Sequence, residues 1–248
     1  MVRLQIYNLI LMLSVLLCFS TNIWAGIENK ALVAEAGKGR ISQVHELLNN
    51  NPFENDILNA AVMAGIKRGN EQVVQTLLDA GADVDFRIKN KFTPLLQASQ
   101  DGRHLIVAAL LAAGANVNAT AENNMTALML ASEKDRREVA TLLLEAGADV
   151  NAIRGDGITA LMLASQEGHR HIVQALINSD ADVNISLANG ATALMLASQH
   201  GHQGAIYALL AAGANVNAKA ANKATALALA TRYRHVEAVQ LLKKAGAR

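Results

Sequence analysis

The sequence predicts an all-α solenoid of about seven stacked helix pairs joined by β-hairpin-like loops. Three observations lead there. The string Thr159-Ala160-Leu161-Met162-Leu163-Ala164-Ser165 recurs at Thr126–Ser132 and Thr192–Ser198, with looser copies at Thr93–Ser99 and Thr225–Thr231. The threonines stand at 93, 126, 159, 192 and 225, a constant step of 33. An uninterrupted period of that size marks a repeat array, whose units bury apolar surface only against their neighbours. Lastly, the chain has only two prolines and few glycines outside the repeat slots, so no linker divides it.

The chain opens Met1-Val2-Arg3, runs apolar from Leu9 to Phe19 and continues Ser20-Thr21-Asn22-Ile23-Trp24-Ala25. One positive charge, a short apolar stretch and a small residue read as a secretory signal peptide over residues 1–25, cut after Ala25. An uncleaved anchor is the alternative, although a bilayer span needs about 20 apolar residues. A lipoprotein cut before Cys18 is disfavoured by the bulk of Leu17. Cys18 is the only cysteine, so the chain from Gly26 onward can hold neither a disulfide nor a cysteine-ligated metal. The expected location is periplasmic or secreted.

Residues 26–54 form an imperfect first pair, the N-terminal cap. Leu32 and Ala36 precede Gly39, Val44, Leu47 and Leu48 make a second stripe, and Asn49-Asn50-Asn51-Pro52 breaks it. The array proper then occupies 55–248, its C-terminal cap spanning about 219–248. Its first unit, about Asn55 to Asp85, places Val62, Gly69, Val73, Leu77, Leu78 and Gly81 in phase.

Residues 151–183 illustrate a full repeat. Thr159 stands between a Gly/Asp-rich stretch and an apolar run, the place of a helix N-cap. The next slot is Pro94 in one copy, well tolerated at the first helical position. Small Ala164 and Ser165 allow a second helix to approach, and Gly168 ends the first. The second helix runs from roughly His171 to Asn178, with Ile172, Val173, Leu176 and Ile177 as its stripe.

This unit resembles an ankyrin repeat, whose pattern runs Asp-x-x-Gly-x-Thr-Pro-Leu-His-x-Ala-Ala, then Gly-His, then Leu-Leu-x-x-Gly-Ala-Asp-Val-Asn. Leu110-Leu111, Leu143-Leu144, Leu176-Ile177 and Leu209-Leu210 fill the double-leucine slot, and Gly81, Gly114, Gly147, Gly213 and Gly246 the glycine slot. The departures are informative. The histidine after Thr-Pro-Leu is Leu96, Met129, Met162, Met195 and Ala228 here, trading a hydrogen-bonder for apolar contact. Asp180 takes one glycine slot, at a cost of about 1 kcal/mol if left-handed. The glycine closing the first helix is Asp135 in one copy and Arg234 in the last.

Chemistry is sparse. Serines 99, 132, 165 and 198 recur as a column, whereas a catalytic residue should be singular. There is no phosphate-cradling loop and no nucleophile elbow. Of His45, His104, His169, His171, His200, His202 and His235, the pair His200 and His202 invites a metal, but residues two apart on a helix do not face each other. Aromatics are 3% of the chain, too few for a nucleic-acid stacking surface. The methionine column Met129, Met162 and Met195 is expected to fill the core. The expectation from these readings is no catalysis, no cofactor, no metal and no nucleic-acid partner; no membrane contact after signal removal and a monomeric state are expected as well.

Charge is uneven. Lys219 to Arg248 holds seven basic residues and one acidic, net +6, whereas Asn55 to Ala218 holds eleven basic and sixteen acidic, net −5. A polar end cap accounts for this, and so does a basic end that meets an acidic partner.

The resemblance implies that partner-facing positions are the loop tips and the exposed face of the first helix. The tips give Arg87, Thr120, Ile153, Ser186 and Lys219, then Lys89, Glu122, Gly155, Ala188 and Ala221, then Phe92, Met125, Ile158, Ala191 and Ala224. The helix face gives Gln100, Asp101, Glu133, Lys134, Gln166, Glu167, Gln199, His200, Arg232 and Tyr233. Phe92, Met125 and Ile158 form one column of apolar residues in exposed slots, which favours protein contact. The function expected is an extracytoplasmic scaffold or accessory factor that binds another protein through its concave face. The alternative is a secreted effector or immunity-type protein that blocks an enzyme.

Overall fold

A computed structural model describes residues 26–248, and the expected signal segment lies outside the described residues. The described chain is built from fourteen α-helices and divides into two compact units, 26–83 and 84–248.

The first unit holds α1 (residues 26–38), α2 (Ile41–Asn50), α3 (Asn55–Arg68) and α4 (Glu71–Asp79). Helix α2 ends where the asparagine run predicts a break, with Asn51 extended ahead of Pro52. Leu32, Ala36 and Val44 are fully buried, as are Val62, Ile66, Val73 and Leu77. Asn70 has two roles. Its side-chain oxygen caps α4 by accepting from Val73 N at 3.1 Å, and its amide donates to the Gly39 carbonyl at 3.1 Å.

The second unit repeats one motif five times: α5 (Pro94–Asp101) with α6 (His104–Ala112), α7 (Ala127–Glu133) with α8 (Arg137–Glu145), α9 (Ala160–Glu167) with α10 (Arg170–Asn178), α11 (Ala193–His200) with α12 (Gln203–Ala211), and α13 (Ala226–Arg232) with α14 (Val236–Lys244). Each first helix starts because a threonine hydroxyl satisfies a free amide of the first turn. Thr159 accepts from Met162 N at 3.3 Å, and Thr93, Thr126, Thr192 and Thr225 do the same in their copies. Pro94 sits at the first helical position.

First helices stack on first helices of adjacent repeats, and second helices on second, which gives two layers. Between them Leu161 is 2% exposed, and Met129, Met162 and Met195 are 0%, 1% and 2% exposed, so the methionine column is core. The hydroxyls of Ser99, Ser132, Ser165 and Ser198 are buried in the same layer without a hydrogen-bond partner. The slots departing from glycine keep its backbone: Asp135, Asp180 and Arg234 have φ of 52°, 63° and 60°.

The loops between repeats are tight hairpins. Ile88 N donates to Phe92 O, Ala121 N to Met125 O, and Arg154 N to Ile158 O, each at 2.9 Å. Among the described residues, β-pairing is limited to isolated antiparallel bridges at Thr120–Thr126 and Ser186–Thr192. A side-chain ladder joins the loops in register. Asp85, Asn118, Asn151, Asn184 and Asn217 each accept, through a side-chain oxygen, the backbone N–H 31 residues further on. Asn118, Asn151 and Asn217 also donate to carbonyls 29 residues ahead.

Leu161→Ala should therefore lower stability by roughly 2–5 kcal/mol, the range for a buried leucine. Ser165→Ala, which removes an unpartnered buried hydroxyl from the same layer, should be neutral or stabilising by about 1 kcal/mol. Urea denaturation midpoints of the two variants check both. A large loss in Ser165→Ala would mean that its hydroxyl is satisfied after all.

Candidate protein-binding face

The hairpin tips and the exposed side of the first helices come from successive repeats in a common register, and this places the predicted residues in rows. On the tip row Lys89 and Glu122 are exposed, as is Ile153 at 53%. Arg87 is exposed but engaged: its guanidinium donates to the carbonyls of Lys91 at 3.3 Å and Thr120 at 2.9 Å. It braces two neighbouring tips. Thr120 thus contributes a backbone carbonyl to that brace.

Phe92, Met125 and Ile158 are half-buried rather than exposed. Each closes its own hairpin through its carbonyl, which turns the side chain partly under the loop. Met125 lines a cleft of about 490 Å³ with Glu122, Asn123, Arg154, Gly155 and Asp156. Gly155 N donates to Asn123 O at 2.7 Å across this cleft, which fixes one tip to the next. Arg154 grips Asp156 with two hydrogen bonds of 2.9 and 2.8 Å. That contact, with a smaller one from the Ile158 amide, pulls the Asp156 carboxyl down to about 2. The cleft therefore offers one internally neutralised pair and one unpaired carboxylate, Glu122.

Arg154, Asp156 and Asn123 were not singled out from the sequence. A signal was present: Arg154 is the only charged residue in the column Ile88, Ala121, Arg154, Leu187, Ala220.

On the helix row Gln100, Asp101, Glu133, Gln166 and Gln199 are half-buried, while Lys134, Glu167, His200, Arg232 and Tyr233 are exposed. Several pair locally: Gln97 with Asp101, Lys134 with Glu133, Gln166 with Glu167, and the Arg232 guanidinium over the Tyr233 ring at 5.8 Å.

The backbone carbonyls of this row do further work. Arg136 Nε donates to Gln100 O at 3.1 Å, His169 Nε2 lies 3.1 Å from Glu133 O, and His235 Nε2 lies 2.9 Å from Gln199 O. His202 is tied likewise to the backbone of Gln166. Each strap runs from the residue preceding a second helix back to the end of the previous first helix, which satisfies a terminal carbonyl. Accordingly, none of these residues caps its own helix with its side chain. The strap also explains a glycine. A Cβ on Gly168 would stand 2.5 Å from Nδ1 of His202, and one on Gly201 2.5 Å from Nδ1 of His235. Asp135 occupies the same slot beneath His169 and meets it as a carboxylate, Oδ1 to Nδ1 at 3.8 Å.

His200 and His202 do face each other, against the expectation from spacing. They flank Gly201 at the end of one helix and the start of the next, and their rings stack at 5.8 Å and 10°. Among the described residues, no group of three or more His, Cys, Asp or Glu could hold a metal ion, and no helix is long and apolar enough to cross a membrane.

A family model for ankyrin repeats, in three copies, matches residues 32–121, 58–154 and 161–248. The chain belongs to the ankyrin-repeat family. Ankyrin repeats generally mediate binding to other proteins and are non-catalytic interaction scaffolds. No curated protein matches this ankyrin array at a significant level.

One strap, that of His202, carries a pH dependence. Burial pushes the His202 imidazole below its ordinary 6.5, opposed by the Gln166 backbone; His200 and His169 lower it further, and Glu167 raises it. The folded protein thus takes up this proton later than the unfolded chain, so stability falls as pH drops through about 6.5 toward the lower folded value. Thermal midpoints should decline between about pH 7 and pH 5, and His202→Asn should flatten that decline. An unchanged slope in the variant would remove His202 from the account.

Proposed function

We propose that this ankyrin array is an extracytoplasmic scaffold or accessory factor that binds a partner protein along its hairpin tips and first-helix face. The carrying observation is a frame of constant parts with a surface of variable ones. Threonine caps, leucine and methionine layers and the asparagine ladder repeat, whereas the tip residues change from Arg87 to Thr120, Ile153, Ser186 and Lys219. A rigid frame with variable projections suits one shaped partner. Half-buried Phe92, Met125 and Ile158 supply apolar contact, rimmed by Lys89, Glu122, Glu133, Lys134, Gln166 and Glu167. Apolar centres with polar rims are the usual construction of an interface.

The extracytoplasmic location rests on residues 1–25. Protein isolated from its native host should begin at Gly26 on N-terminal sequencing. Material from the cytosol retaining Met1 would remove the location from the proposal and leave the binding face untouched.

The face is tested with the partner recovered from the native compartment. Phe92→Ala with Ile158→Ala should weaken binding by about 1–3 kcal/mol combined, the scale of ordinary hot spots. Because both side chains are half-buried, the denaturation midpoint is measured in parallel. Full affinity in a well-folded double variant would place the interface elsewhere.

A further inference from the structure

We propose that the outward face of the last helix pair is a second docking surface, built for an acidic helical segment of a partner protein. The first ground is uncompensated charge. All seven basic residues from Lys219 to Arg248 are exposed, and Glu237 is the one acid among them. Among the described residues none of the seven forms an ion pair; of their side chains Arg232 alone has a partner, the Tyr233 ring. Elsewhere in this unit Lys134, Arg137 and Arg154 each hold a carboxylate at 2.8 Å. Lys243 and Lys244 stand in the last turn of α14, where they also complement the helix dipole. Arg232 holds the same place in the last turn of α13, which leaves Lys219, Lys223, Arg234 and Arg248 without such a role.

The second ground is shape. Helices α13 and α14 pack on α11 and α12. Positions buried against a neighbour in the preceding repeat are open here. Leu194 is 1% exposed but Leu227 is half-buried; Met195 is 2% exposed but its counterpart Ala228 is exposed; Ser198 is 0% exposed but Thr231 is exposed. Lys243 replaces half-buried Leu210. The result is a shallow strip of Leu227, Ala228 and Val239. Arg232 and Arg234 lie at one end of the helix pair and Lys243 and Lys244 at the other. The nine residues of α14 separate these ends by about 13 Å.

The same face, in the preceding repeats, receives a helix pair, so a helix fits its geometry. Small Ala228 and Thr231 suit a partner stripe of alanine or leucine, and cations at both ends select glutamates flanking it. A charge of +6 in one repeat also steers an acidic partner over distance. A strip of leucine, alanine and valine gives nucleobases no stacking platform and a bilayer little apolar area to insert.

The probe is a synthetic helix-forming peptide with an alanine/leucine stripe between glutamates, titrated against the full chain by fluorescence anisotropy. Binding should be saturable and weaken with salt. Combined Arg234→Gln, Lys243→Gln and Lys244→Gln should reduce affinity about tenfold, and Ala228→Glu should reduce it with all cations in place. Arg170→Gln and the Phe92→Ala/Ile158→Ala double variant should bind the peptide normally, which separates this surface from the hairpin-tip face. Equal binding of a scrambled peptide of the same composition would overturn the proposal. So would preferential binding of phosphatidylglycerol vesicles or a DNA duplex, or an Ala228→Glu variant with full affinity.

Discussion

The packing of one first helix against the next is the contact on which everything else depends. No single pair can hide its leucines and methionines, so each layer exists because a neighbour completes it. The threonine cap serves this contact. It fixes where the helix begins, and with it which residues face the adjacent repeat. The same contact explains the tolerance of four buried serine hydroxyls without partners. A small side chain in that slot lets helices approach, and the approach outweighs an unmade hydrogen bond of about 1–3 kcal/mol.

Much of this architecture was legible in the sequence because it is periodic. A step of 33 with Thr, Leu and Ala in fixed places yields caps, layers and pair boundaries to within a residue or two, as at α10, expected from His171 and found from Arg170. Left-handed Asp180 follows from the slot that it occupies. The candidate face was less legible. A side chain's exposure at a hairpin depends on how the loop folds over its own base, so Phe92, Met125 and Ile158 read as open slots and are half-covered. His200 and His202 looked divergent because spacing arguments assume one continuous helix, and Gly201 interrupts it. The brace made by Arg87 and the grip of Arg154 on Asp156 involve residues that differ between repeats, and periodicity says nothing about those.

The face proposed for binding and the frame that carries it are not separate sets of atoms. Gln100, Glu133 and Gln199 present side chains outward while their carbonyls receive a strap from the next repeat. Substituting these side chains leaves the straps in place, since only backbone oxygen is used. The surface can therefore diversify without loosening the stack. The histidine slot has the opposite property. It admits Arg136 as well as His169, His202 and His235, but each must reach a carbonyl 36 residues behind it.

The side-chain ladder between loops has a consequence for how the chain could be lengthened or shortened. Its bonds span 29 or 31 residues and the straps 36, and these spans recur from one repeat to the next. Every cross-repeat link therefore closes a loop of nearly the same size, with nearly the same entropy. Excising one whole 33-residue unit from the interior of the second unit would bring each donor to an equivalent acceptor. Excising a single loop residue would shift the ladder out of step with the straps. In this molecule a large deletion of the right length is the conservative change, and a small one is the radical change.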